Sequence, residues 1–233
     1  MADNLSFFEN NVSFYSAGYR DFALRKWEEK IVNSVSGKVL DVACGGGRIT
    51  VPMLEKGCDV IGTDFVKEFE NKIRQHESRF KGNFKFIVSE MDDLTFPDDT
   101  FDCVTCINSI IYMKTKARVY QSFYEMARVL KPNGKLYITL WNMLNPLWGT
   151  SILANYLLNG CKRFGETSPF LKMDTRARKQ KVEMYVPTKY TLNEILEDAS
   201  IKGSVMTAPE FLESESFLSL FYPAIVIVGT KEK

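Results

Sequence analysis

One histidine, five cysteines and no apolar run long enough to cross a bilayer set the first limits on this 233-residue chain. A lone histidine excludes a His-rich metal site and leaves only one residue of the type most often used as a base near neutral pH. The cysteines are odd in number and lack secreted spacing, which points to a reducing compartment and a cytoplasmic protein. Cys103 and Cys106 form a single C-x-x-C in an expected strand, where residues three apart face opposite sides. Both therefore read as structural, and no metal is expected. The longest apolar stretch, Phe217 to Gly229, is too short for a membrane span and contains Pro223. The first residues lack the charged-then-apolar order of an export signal. Net charge is +1, so no global field draws the chain to nucleic acid or an acidic membrane.

What is present suits a globular protein: 45% hydrophobic and 25% charged residues, enough for one domain with an added cap. Residues 1–36 are expected as an N-terminal helical segment, 37–141 as the core, 142–190 as a cap, and 191–233 as a last helix and strands. Leu24, Trp27, Ile31 and Val35 make one helical stripe over 21–35. Apolar runs predict strands at 38–42, 59–64, 84–89, 101–107 and 135–141. Helices are expected at 48–56, ended by Gly57, then on the stripe of Phe65, Phe69, Ile73 and Phe80, and at 115–130. Lys131 to Gly134 reads as a turn. Strands alternating with helices imply a doubly wound α/β sheet, mostly parallel and covered on both faces. Beyond residue 141 the pattern changes. Residues 146–160 look helical, 161–183 irregular and basic, and Thr191 with Glu194 reads as a capping box. Two strands follow, near 203–211 and 222–229, with Pro223 opening the second.

The strongest chemical signal is Val39-Leu40-Asp41-Val42-Ala43-Cys44-Gly45-Gly46-Gly47-Arg48, a glycine run between a strand and a helix that lets a ligand approach the backbone. A pyrophosphate loop would not favour an acid at Asp41, whereas a cationic sulfonium ligand would. This tips the reading from a nicotinamide dinucleotide toward S-adenosylmethionine. Asp64 ends the second strand 23 positions later, where a carboxylate can accept from both ribose hydroxyls. The stretch Ser89-Glu90-Met91-Asp92-Asp93-Leu94-Thr95-Phe96-Pro97-Asp98-Asp99-Thr100-Phe101-Asp102 follows, and later Arg128-Val129-Leu130-Lys131-Pro132-Asn133-Gly134.

These motifs, in this order over residues 37–141, resemble the class I S-adenosylmethionine-dependent methyltransferases, in particular the group similar to ubiquinone and menaquinone methylases. The resemblance implies a Rossmann-like seven-stranded sheet with an antiparallel last strand and a helical cap insertion after strand five. It also implies roles. Asp41 and the backbone of Ala43 and Gly45 would line the methionine end of the cofactor. Asp64 would hold the ribose and Phe65 pack on the adenine. Glu90 would accept from the adenine amino group, with the Met91 amide nearby, and Ile107 and Asn108 would sit near the sulfonium. Tyr19 resembles the aromatic found over the cofactor. Two positions depart from the family: Ala43 replaces its first glycine, and Glu90 its aspartate.

Methyl transfer is an in-line displacement that mainly needs alignment. His76 shares a stripe with Phe69 and Ile73, remote from the expected site, and reads as structural. No strong base is therefore expected, which suits an amine that has already lost its proton. Acceptor specificity is expected in 142–190. Tyr112, Trp141, Asn142, Trp148 and Tyr185 are candidate pocket residues, while Tyr156 reads rather as part of an apolar subcore. Lys172, Arg176, Arg178, Lys179 and Lys181 form a basic cluster that reads as a solvated loop, with a grip on an anionic acceptor as the sharper alternative. The expectation is an enzyme acting on N or O of a small molecule, as a monomer or homodimer. The alternatives are a nucleic-acid methyltransferase of the same fold, disfavoured by near-zero charge, and a non-catalytic scaffold, disfavoured by the intact Asp41, glycine loop and Asp64. A nucleotide-dependent dehydrogenase is disfavoured by Asp41.

Overall fold

The computed structural model describes residues 2–10, 12, 24–142, 171–174, 181–184, 187–214 and 224–232. Helix α1 (Ala2–Asn10) is followed by α2 (Lys26–Ser34), which buries Trp27 and Ile31 of the expected stripe. Strand β1 (Lys38–Val42) is buried in all but its first residue, as a strand covered on both faces must be. Helix α3 (Thr50–Lys56) stops at Gly57, whose φ of 101° only glycine adopts easily. Then come β2 (Asp59–Asp64), α4 (Glu68–Arg74), β3 (Phe84–Val88), β4 (Phe101–Ile107), α5 (Lys116–Val129) and β5 (Leu130–Trp141). Short strands β6 (Leu171–Asp174) and β7 (Lys181–Met184) precede α6 (Lys189–Asp198), β8 (Ile201–Thr207), α7 (Ala208–Phe211) and β9 (Ala224–Lys231).

Seven strands form one sheet in the order β3-β2-β1-β4-β5-β9-β8, and β9 alone runs antiparallel to its neighbours. Strand alternation sorts the side chains into two apolar layers. Leu40, Val104, Cys106 and Ile138 pack with Phe123 and Met126 of α5 and with Leu192 and Ile195 of α6. Val39, Cys103 and Tyr137 pack on the other face with Trp27, Ile31, Met53 and Leu54. The two cysteines of the C-x-x-C thus lie in opposite layers. The strand order reverses between β1 and β4, which leaves a crevice beyond their carboxyl ends, the place where ligands bind in such sheets.

Several expectations change in detail. The turn at 131–134 lies inside β5: Leu130 pairs with Phe101, and Lys135 is the next residue to pair, with Cys103. Asn133 takes a φ of 64° between them. The cap of α6 is Thr188, whose hydroxyl accepts the Thr191 N–H at 3.1 Å, so the first turn begins three residues before the Thr191 expected from the capping-box pattern. The strand expected over 203–211 ends at Thr207, because Thr207 and Glu210 cap a short helix with Pro209 in its first turn, where no donor is needed. The stretch 161–183, read as irregular, carries β6 and most of β7, paired antiparallel. The helix expected at 146–160 and the placement of Pro223 lie outside the described residues.

Candidate active site

The site grows from the end of β1. Past Val42 the backbone turns through two left-handed residues, Ala43 at φ 53° and Gly45 at φ 51°. At Gly45 a side chain would meet nothing within 4 Å, so the loop is open to an incoming ligand. At Ala43 the conformation strains an alanine, which explains the glycine that the resembled family carries there. The Gly45 N–H donates to Asp64 Oδ2 at 2.9 Å and the Val66 N–H donates to Oδ1 at 3.0 Å. Asp64 thereby ties the end of β2 to the glycine loop. Asp41 sits in register with Gly62 on one side and Thr105 on the other, and accepts the hydroxyls of Thr50 at 2.5 Å and Thr105 at 2.8 Å. Asp41 is 1% and Asp64 5% exposed. Burial pushes each carboxyl up to about 6, against the pull of their hydrogen bonds, and Asp64 adds to the rise at Asp41. Among the described residues neither is paired with a cation.

A cavity of about 640 Å³ opens over this floor. Asp41, Ala43, Gly45, Asp64, Phe65, Glu90, Met91, Ile107 and Asn108 all line it. Tyr19 lies outside the described residues. Of the acceptor candidates, Tyr112 and Trp141 line the same cavity. Asn142 is buried at 3% exposure and is not among the residues lining it, while Trp148, Tyr156 and Tyr185 lie outside the described residues. His76 sits beyond α4 next to Arg79, away from the cavity, and burial with the Arg79 charge lowers its pKa. Among the described residues no cluster of three His, Cys, Asp or Glu could hold a metal.

Several lining residues have contacts that the sequence does not signal. Phe8 of α1 meets Phe65 edge-on at 5.5 Å and Tyr112 at 5.0 Å, so it joins the two walls. Arg48, from the glycine loop, forks onto the fully buried Glu28 of α2 through Nε at 3.0 Å and Nη2 at 2.6 Å. Arg118 of α5 binds both Glu90 and Asp92. Of the expected basic cluster, Lys172 stands in strand register with Glu183 and Lys181 with Asp174, while Arg176, Arg178 and Lys179 lie outside the described residues.

Residues 39–134 match the methyltransferase-domain family. YqeM of Bacillus subtilis, a protein named as a methyltransferase, is 38% identical over 112 residues, 48% of this chain and 44% of its own length. The ubiquinone/menaquinone biosynthesis C-methyltransferase UbiE of Proteus mirabilis is 28% identical over 171 residues, 70% of this chain and 65% of its own. The chain thus spans less than two thirds of these curated relatives. A SAM-dependent methyltransferase from Methanosarcina mazei superposes with a TM-score of 0.68 at 21% identity, over 90% of this chain and 98% of that one, a likeness of fold. The sheet order, the glycine loop and the acids at the ends of β1 and β2 are all in place, and with the match over residues 39–134 they make this domain similar to the class I S-adenosylmethionine-dependent methyltransferases.

Proposed function

We propose that this protein transfers a methyl group from S-adenosylmethionine to a nitrogen or oxygen of a small-molecule acceptor. One observation carries the reading: two buried carboxylates without a cationic partner, Asp41 and Asp64, converge with an open glycine loop on one wall of the cavity. Such a floor fits a ligand that brings its own positive charge. The cavity volume falls within the ~300–1,000 Å³ of pockets that enclose a drug-sized molecule. Asp64 receives the Gly45 N–H on Oδ2 and the Val66 N–H on Oδ1, and its remaining lone pairs would meet the ribose hydroxyls. Phe65 and Met91 would flank the adenine, and Ile107 and Asn108 would lie beside the sulfonium. The bound cofactor supplies a methyl group activated by positively charged sulfur.

The chain's own task is then alignment. Asn108 holds a left-handed backbone (φ 57°) anchored by its N–H on the Thr139 carbonyl at 2.8 Å, which fixes the turn after β4. Holding an acceptor in line with the methyl group supplies most of what this displacement requires. The acids lining the cavity already accept from the protein itself: Asp41 from two hydroxyls, Asp64 from the loop, Glu90 from Arg118. This supports an acceptor that needs no strong base, such as a neutral amine, and His76→Ala is expected to leave turnover intact. The net charge of +1 favours a small acceptor over nucleic acid.

Calorimetry of S-adenosylmethionine binding to the wild type and to Asp64→Ala tests the reading. Loss of two hydrogen bonds to a carboxylate should weaken binding by about 2–4 kcal/mol, roughly 30- to 1000-fold. A wild type that binds no cofactor would remove the enzyme reading and leave only the fold.

A further inference from the structure

The loop after β3 carries two acids, Glu90 and Asp92, and both are held by one guanidinium from another element. Arg118 lies in the first turn of α5, where its own N–H is received by the Thr115 hydroxyl that caps the helix. Its Nε and Nη2 fork onto the two oxygens of Asp92, and Nη2 also donates to Glu90 Oε2. The three side chains are graded in depth: Asp92 is 13% exposed, Arg118 26% and Glu90 39%. The order suggests a chain of support. Asp92, the deepest, fixes the plane of the guanidinium through two parallel bonds, and the fixed guanidinium holds Glu90 at the cavity wall.

Glu90 needs such support more than an aspartate would. Its extra torsion must be frozen before the carboxylate can meet a ligand edge, and the rotamer entropy lost in doing so weakens binding. A carboxylate already ordered through Oε2 loses less, and its other oxygen would be available to the ligand. A carboxylate can accept from an amino group but can only repel a carbonyl oxygen, so an ordered Glu90 discriminates between purines that differ at position 6.

We infer that Arg118 is a positioning residue that locks Glu90 at the cavity wall, and that the Asp92–Arg118–Glu90 clamp makes the site select a 6-amino over a 6-oxo purine. The inference rests on the reading above that this cavity takes S-adenosylmethionine.

The test compares binding of S-adenosylhomocysteine and S-inosylhomocysteine, which differ at that position, by calorimetry. The wild type should prefer the adenosyl ligand roughly 10- to 100-fold. Arg118→Met should shrink the preference to about 3-fold, with most of the loss on the adenosyl ligand. It should thereby match Glu90→Ala. Arg118→Lys, which keeps the charge without the fork, and Asp92→Asn, which loosens the anchor, should fall in between, and both keep the test available should Arg118→Met fold poorly. A variant series that weakens both ligands equally and leaves their ratio intact would mean that Arg118 only supports the fold, overturning the clamp. A wild type that binds both ligands alike would overturn the clamp while leaving the cofactor reading in place. A wild type that binds neither would overturn both.

Discussion

Two sets of acids withdrawn from water meet opposite fates in this molecule. Glu28 is fully buried and answered by the guanidinium of Arg48, and Asp92 at the rim is answered by Arg118. Asp41 and Asp64, nearly as deep as Glu28, receive hydroxyls and backbone N–H groups and, among the described residues, no cation. Neutral donors satisfy the geometry of a carboxylate without cancelling its charge. The first set is therefore settled structure. The second keeps a latent negative charge on the cavity floor, raised to about 6 by burial and so held at the expense of stability above that pH.

The contrast can be broken most sharply by removing one member of each set. Glu28→Ala removes the buried carboxylate that two donors of Arg48 reach, and also the acceptor of the Arg25 N–H. Breaking a buried pair from one side should lower unfolding free energy by about 3 kcal/mol in urea titrations. Asp41→Asn should do the reverse. Its folded carboxyl titrates near 6 against 3.8 unfolded, so the native state binds the proton more tightly. The penalty is absent below pH 4, grows as pH rises toward 6 and is constant above. Replacing the acid by an amide should therefore stabilise the ligand-free protein by up to about 3 kcal/mol at pH 7.5 and by nothing near pH 4. The threonine hydroxyls can rotate to meet the amide. Equal destabilisation by both substitutions would erase the distinction.

A smaller effect sharpens it from the ligand side. A cation on the floor stabilises the ionised carboxylates, so S-adenosylmethionine should bind about tenfold more tightly at pH 7 than at pH 5, with protons released to buffer below pH 6. Calorimetry in buffers of different ionisation heat reads both, and Asp64→Asn should flatten the slope. The smallest expected change is at Ala43. Glycine there removes the left-handed strain of an alanine and should raise stability by about 0.5–1 kcal/mol, seen as a modest increase in melting temperature.

The parts of the molecule visible in the sequence are those where local pattern and tertiary environment agree. β1 and β4 are buried on both faces and so read as apolar runs, and Asp41 and Asp64 stand out because an acid at the end of such a run has few structural uses. Arg118 was invisible for the converse reason. It sits on a helix beginning Lys116-Ala117-Arg118, where a charge is normally solvated, and its partners lie 26 and 28 positions away with no spacing to connect them. Glu28 and Arg48 are hidden likewise: the glutamate reads as the polar face of α2, and only folding turns it inward. Phe8 belongs to a nine-residue helix too short to show a period. β6 and β7 are four residues each and owe their existence to pairing with one another, which no single run reveals. The cap of α6 falls on Thr188 rather than Thr191 because a threonine fits either position by pattern, and the hydrogen bond decides.

The position of β9 has a consequence for how the chain is made. It is the last of the seven strands in sequence, yet it lies inside the sheet between β5 and β8. A ribosome delivering the chain from its N-terminus completes β1 to β5, with the ligand crevice between β1 and β4, while the outer edge of β5 still lacks its neighbour. That edge stays unpaired through about 80 further residues of synthesis, exposing backbone donors and acceptors to other nascent chains. The strand that closes it arrives last and joins two parts of the sheet that cannot pair without it. Premature termination before Ala224 should therefore yield aggregating product rather than a smaller soluble domain, even though every described residue lining the cavity has already been made.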